Sequence, residues 1–260
     1  MSGYREYETI QVSRDELTAV VTLNRPEVLN AANRELHRDI SLVWGDIAAD
    51  PELRSVVLTG AGRAFCGGGD LGLLQAMTDD PMLRSEVLAE ARLLVQSLVT
   101  LPIPIVAAIN GPAVGLGCSL ASLCDLVVMD EDAYFADPHV LLGLTASDGG
   151  VFTWPEVMGL HQVKELILLG GRVSSSDALR LGLANRVVPS GTSVGEALAL
   201  AKKLATLPPQ AVRETKYVLN GRLRQRIDSE ADGAIEAESQ SFDTKEFRTN
   251  LEKAITRSAK

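Results

Sequence analysis

Apolar residues run through the first 190 positions in two alternating rhythms. Two short unbroken runs, Ser55-Val56-Val57-Leu58-Thr59 and Ile105-Val106-Ala107-Ala108-Ile109, have the length and β-branched content of strands buried on both faces. Elsewhere the spacing lengthens. Leu36, Ile40, Val43 and Ile47 recur at helical intervals across residues 33–48, and residues 82–99 carry a second predicted helix. Residues 8–12 and 17–23 flank the polar Ser13-Arg14-Asp15-Glu16 and predict a hairpin. Strands that alternate with helices predict an α/β layered fold. Past Ser190-Gly191 the rhythm is helical, over residues 194–206, 210–220 and 243–257, with Pro208-Pro209 parting the first two and no strand expected after Val188. The shift divides the chain into a core, residues 1–190, and a C-terminal helical region, residues 191–260.

Both buried runs lead into glycine. The first is followed by Arg63-Ala64-Phe65-Cys66-Gly67-Gly68-Gly69-Asp70-Leu71, the second by Asn110-Gly111-Pro112-Ala113-Val114-Gly115-Leu116-Gly117-Cys118-Ser119. A run of glycines costs order on folding and is usually kept for unusual dihedrals or for close approach to a ligand. One such turn alone reads equally well as a tight turn with no ligand. Two strand ends that both offer bare N–H groups suggest convergent donors, the arrangement that stabilises negative charge on a carbonyl oxygen.

Composition narrows the setting. With 46% hydrophobic, 23% charged and 4% aromatic residues, the chain is that of a globular protein packed by Leu, Val, Ile and Ala. A net charge of −9 argues against a nucleic-acid surface, so a polyphosphate ligand would need local cations. Cys66, Cys118 and Cys124 are odd in number and sit in apolar or glycine-rich company, as reduced packing residues do. No metal-ligand spacing, apolar leader or membrane-length apolar run is present, and the chain reads as cytoplasmic, with neither membrane nor nucleic acid as partner.

Taken with Leu23-Asn24-Arg25-Pro26-Glu27-Val28-Leu29-Asn30-Ala31 and Cys124-Asp125-Leu126-Val127-Val128, the order of these motifs resembles the enoyl-CoA hydratase/isomerase (crotonase) family over nearly the whole chain. Residues 244–257 look like that family's C-terminal helix. The resemblance implies a spiral of ββα turns capped by helices, and a homotrimer or dimer of trimers packed through the helical region. It also implies an acyl-CoA thioester substrate, with coenzyme A present as part of the substrate and no separate cofactor. The oxyanion hole would be the main-chain N–H groups of Gly69 and Leu116, leucine standing where glycine is usual. Ala64, Gly67, Gly68, Asp70 and Leu71 resemble the segment around the thioester and adenine, with Val28 and Ala31 as the other wall. Many relatives place a cation near residue 28, so Arg25 and Arg63 become the cation candidates.

The catalytic positions depart from the family's hydratases. Ser119 and His139 stand where those enzymes carry two glutamates, so hydration by the two-glutamate route is expected to fail. Asp148 follows His139 in the segment that faces the acyl group in the family, and a His oriented by an Asp is a general-base arrangement. The same pair, at the same spacing, resembles the family's β-diketone hydrolases. Three functions stay open: an enoyl-CoA hydratase or isomerase variant working through an enolate, a C–C hydrolase acting on a diketone, and a catalytically silent scaffold that binds acyl-CoA. Structural readings compete: Asp148 as a plain helix cap, His139 as a satisfied structural residue. Asp137 is a further candidate to orient His139. Asp125 matches a structural position, Asp130-Glu131-Asp132 reads as a solvated turn, and His37 and His161 read as surface residues.

Overall fold

The N-terminal hairpin sets the first edge of the sheet. In the computed structural model, which describes residues 5–258, β1 (Ile10–Asp15) pairs antiparallel with β2 (Thr18–Leu23) across a turn in which Glu16 takes a φ of 55°. Residues 1–4, part of the N-terminal stretch where no apolar leader is expected, lie outside the described residues. The chain continues through α1 (Arg34–Ala49), β3 (Ser55–Gly60), α2 (Leu71–Asp79), α3 (Pro81–Thr100), β4 (Ile105–Ile109), β5 (Ala113–Val114) and α4 (Leu116–Ser122). Then follow β6 (Leu126–Asp130), β7 (Tyr134–Ala136), α5 (His139–Leu142), α6 (Gly149–Val157), α7 (Leu160–Leu169), β8 (Arg172–Ser174), α8 (Ser175–Leu181) and β9 (Arg186–Val188). The closing helices are α9 (Ser193–Ala205), α10 (Pro209–Leu219), α11 (Gly221–Ser241) and α12 (Lys245–Ser258).

The main sheet runs β1-β2-β3-β4-β6-β9, parallel except for β1, and a smaller sheet runs β5-β7-β8. Because strand side chains alternate between faces, β3 and β4 feed two cores. Val56, Leu58, Ile105 and Ala107 pack toward α1 and α3, while Val57, Val106 and Ala108 meet Ala197 and Ala201 of α9. So α9, although it follows residue 190, lies on the sheet. Among the described residues no helix is long and apolar enough to cross a membrane.

Three local findings differ from the sequence reading. Asp130 is buried, not solvated: its carboxylate accepts hydrogen bonds from the backbone N–H groups of Gly191, Thr192 and Ser193 and so ties the end of β6 to the start of α9. His37 is 7% exposed and faces inward from α1. The whole of α11 escaped the periodicity, since Leu223, Ile227, Ala231 and Ile235 make a thin stripe on an otherwise polar helix. Cys66 and Cys118 are buried and Cys124 half-buried; all three are free thiols, and burial pushes Cys66 up to about 11. Asp125 accepts from the Ile105 N–H and the Lys216 ammonium, both at 2.7 Å, and so links β4 to α10.

Candidate active site

The two glycine turns are laced to each other. Cys66 bridges Ala113, its N–H donating to the Pro112 carbonyl at 3.1 Å and its carbonyl accepting from the Val114 N–H at 2.9 Å. A side chain at Gly117 would lie 2.5 Å from the Cys66 carbonyl oxygen, so α4 starts against the first turn only because Gly117 has none. On its other side the first turn bridges Ala32: the Ala32 N–H donates to Gly68 O and the Asp70 N–H to Ala32 O. A parallel bridge of this kind turns the N–H of Gly69 away from Ala32, and that N–H makes no hydrogen bond among the described residues. The N–H of Leu116 is likewise free, because Leu116 is the first residue of α4. Gly69 and Leu116 line one cavity of about 540 Å³.

Side chains supply the opposite wall. His139 opens α5 directly after β7, and its Nδ1 lies 2.5 Å from Oδ1 of buried Asp137. Asp148 reaches the same cavity by a different route. A side chain at Gly149 would lie 2.4 Å from Ser119 Cα, so α6 begins hard against α4 with Asp148 beside the Ser119 hydroxyl. Asp148 occupies the N-cap position of α6 but caps no N–H, and its Oδ1 is buried with no hydrogen-bond partner among the described residues. Glu238, from α11, completes the group and accepts a hydrogen bond from the Ser147 hydroxyl.

These charges tune each other. Burial favours neutral His139, but the Asp137 hydrogen bond and the charges of Asp137, Asp148 and Glu238 outweigh it and take the imidazole up to about 10. Burial likewise opposes the charge on Asp137, yet contact with His139 holds that carboxyl below its usual range. Burial raises Asp148, with help from Asp137 and against the pull of His139, Ser119 and His37. Burial also pushes Glu238 up to about 7, although His139 and Ser147 draw it the other way. The wall therefore favours the cationic form of His139 next to two buried carboxyl groups, Asp148 and Glu238, whose neutral forms are favoured.

One expectation about His139 is corrected. The carboxylate that orients it is Asp137, two residues away on the same turn, rather than Asp148; the short β7–α5 connection leaves the ring within reach of its neighbour. Gly67, Gly68, Gly69, Leu71, Leu116, His139 and Asp148 line the cavity together. Arg25, Val28, Ala31, Ala64, Asp70 and Ser119 are not part of its lining. Arg25 is occupied: its guanidinium donates to the Ala31 carbonyl and pairs with Asp70 at 3.5 Å. Asp70 caps α2 through the N–H groups of Gly72 and Leu73. Ala64 is buried and its carbonyl accepts from Asn30 Nδ2, while Val28 lies on the surface and Ser119 sits buried behind Asp148. Glu238 and His37 join the cavity unforeseen. Glu238 had no signal, since it is one glutamate among many in a polar helix.

Free main-chain donors at the mouth of a helix, set against an ionisable wall across a largely apolar cavity, are parts suited to stabilising negative charge on a carbonyl oxygen. The model of the family described as "Enoyl-CoA hydratase/isomerase" matches residues 14–257, and the chain belongs to that family. It is 32% identical over 238 residues to a short-chain-enoyl-CoA hydratase of Clostridium acetobutylicum, covering 91% of this chain and 89% of the relative. The crystal structure of an enoyl-CoA hydratase/isomerase from Mycobacterium paratuberculosis superposes with a TM-score of 0.93 at 46% identity, over 96% of this chain and 100% of the other. An enoyl-CoA hydratase from Mycobacterium avium subsp. paratuberculosis K-10 shares the fold at a TM-score of 0.88 and 26% identity, over 97% of each chain. The α/β spiral with its helical extension is thus the family's fold.

Proposed function

We propose that the protein binds an acyl-CoA thioester with its carbonyl oxygen between the N–H groups of Gly69 and Leu116 and works through the enolate that they stabilise. The reading is supported by two unpaired amides and the His139, Asp148 and Glu238 side chains on one cavity, with Asp137 bonded to His139. A carboxylate, Asp148 or Glu238, takes the proton from the α-carbon, and the His139 imidazolium supplies a proton elsewhere on the acyl chain. Ser119 in place of a carboxylate leaves the two-glutamate hydration route without its first member. Leu73, Met77, Val87 and Leu88 form the apolar lining for the chain. Lys253 and Arg257 of α12 line the cavity and form no ion pair among the described residues, so they replace Arg25 as the local cations for phosphates in a chain of net charge −9. Exposed Leu168, Leu169, Val218 and Leu219 support assembly into a trimer or dimer of trimers.

Exchange of the α-hydrogens of butyryl-CoA in D₂O tests the enolate whatever the later chemistry. A Cβ at Gly69 would meet nothing closer than Leu74 at 3.8 Å, so Gly69→Ala keeps both the space and the N–H. Gly69→Pro removes the N–H. Wild type and Gly69→Ala should exchange, and Gly69→Pro should do so roughly 10²–10³-fold more slowly; equal rates in a folded Gly69→Pro protein would refute the assignment.

A second reading has its own support in Asp148, which lines the cavity with His139 and whose buried Oδ1 has no hydrogen-bond partner among the described residues. Asp148 takes one proton from a water whose oxygen adds to the ketone carbon of a 1,3-dicarbonyl, and the bond to the α-carbon breaks. Its electron pair becomes the enolate held by Gly69 and Leu116, and a proton from His139 quenches it. Release of butyrate and acetyl-CoA from 3-oxohexanoyl-CoA would select this reading.

A further inference from the structure

The wall formed by α1 and α3 holds a chain of ionisable groups that the chemistry above does not use. His37 lines the cavity among Met77, Val87, Leu88 and Ala91, an apolar stretch. Its Nδ1 is 3.1 Å from Oε2 of Glu90 on α3, and Arg34, one turn earlier on α1, holds the same oxygen at 2.5 Å. Burial works against the charge on Glu90, but His37 and Arg34 prevail and keep the carboxyl below its ordinary range. An ionised carboxylate at Nδ1 fixes the proton there, which leaves Nε2 as the free edge of the ring. Among the described residues Nε2 has no hydrogen bond. A buried imidazole anchored by an ion pair is a costly choice for an apolar wall unless its remaining nitrogen meets a polar group.

Its position along the cavity is set by the backbone. Ala32 pairs with Gly69, Asn33 caps α1, and His37 lies four residues beyond that cap, about 6 Å along the helix. It therefore stands past the α-carbon of a chain whose carbonyl sits at Gly69.

The geometry points to His37 as a specificity-determining residue whose Nε2 accepts a hydrogen bond from a hydroxyl on the fourth or fifth carbon of the acyl chain. Hydroxyacyl thioesters are then preferred to plain fatty acyl ones. Glu90 is the positioning residue that fixes the tautomer. The inference rests on the acyl-CoA reading above, and calorimetry separates the two. Hexanoyl-CoA is compared with 4-hydroxyhexanoyl-CoA and 5-hydroxyhexanoyl-CoA, neither of which is a 1,3-dicarbonyl open to cleavage. Wild type should bind one hydroxy ester roughly tenfold more tightly than hexanoyl-CoA, the worth of one good hydrogen bond. His37→Leu should bring the ratio within about twofold, and Glu90→Gln, which keeps the ring but frees its tautomer, should give an intermediate ratio. An undiminished ratio in folded His37→Leu, or no hydroxy preference in wild type that still binds hexanoyl-CoA, overturns the role of His37 alone. Failure of wild type to bind any of the three esters overturns the acyl-CoA reading and this inference with it.

Discussion

The cavity has a backbone half and a side-chain half, and they are built in opposite ways. The half that carries Gly69 and Leu116 consists of two turns, each continuous in sequence and each directly after a strand, laced by the Cys66–Ala113 bridge. The half that carries His139, Asp148 and Glu238, with Asp137 bonded to His139, is gathered from the β7–α5 connection, the start of α6 and the distant α11. The first half offers fixed dipoles that need no titration; the second offers protons whose affinity depends on every neighbour. One can be altered by removing a single N–H. The other responds as a coupled set.

The joint between the halves should give the largest effect. Gly149→Ala drives a methyl group to 2.4 Å from Ser119 Cα and 2.6 Å from Ser119 O, both backbone atoms that cannot swing aside. Urea unfolding should show a loss of about 3 kcal/mol from overpacking, with the midpoint lowered and the slope unchanged. A loss under about 0.5 kcal/mol would mean that α4 and α6 are not held at that distance.

Within the side-chain half, His139→Ala should slow turnover by roughly 10²–10⁴-fold. Asp137→Asn should cost nearly as much, and the double variant little more than the worse single one, since the pair acts as a unit. Asp148→Asn combined with His139→Ala should instead be closer to multiplicative. Reversal of these two outcomes would return Asp148 to the role of orienting partner.

The smallest effect is a shape. Activity should rise with pH through about 7, as Glu238 becomes a base, and fall near 10 as His139 loses its proton. Glu238→Gln should flatten the lower limb while leaving the upper one. Stability should follow the same groups. Both pKa values are raised by folding, so each contributes stability fully present below its unfolded value and lost as pH rises through about 7 for Glu238 and about 10 for His139. Melting scans across that range should show wild type declining from mildly acidic pH upward and Glu238→Gln holding level until His139 titrates. A wild-type melting temperature that rises between pH 5 and 9 would exclude raised values for both groups.

Local pattern was enough for the strands Ser55–Gly60 and Ile105–Ile109, for the helices Arg34–Ala49 and Pro81–Thr100, and for the turns that bear Gly69 and Leu116, because each depends on hydrophobic period or glycine content within a few residues. The glycine content of those two turns suggests that their donors converge, but the Cys66–Ala113 bridge that laces them is set by tertiary packing. Tertiary packing alone brought Glu238 across from α11, turned His37 inward against Glu90, and buried Asp130 under the start of α9. It also chose Asp137 over Asp148 as the partner of His139. A polar residue's role is set by what surrounds it in space, since burial and neighbouring charge decide its protonation, and neither quantity is written into the residues beside it in the chain.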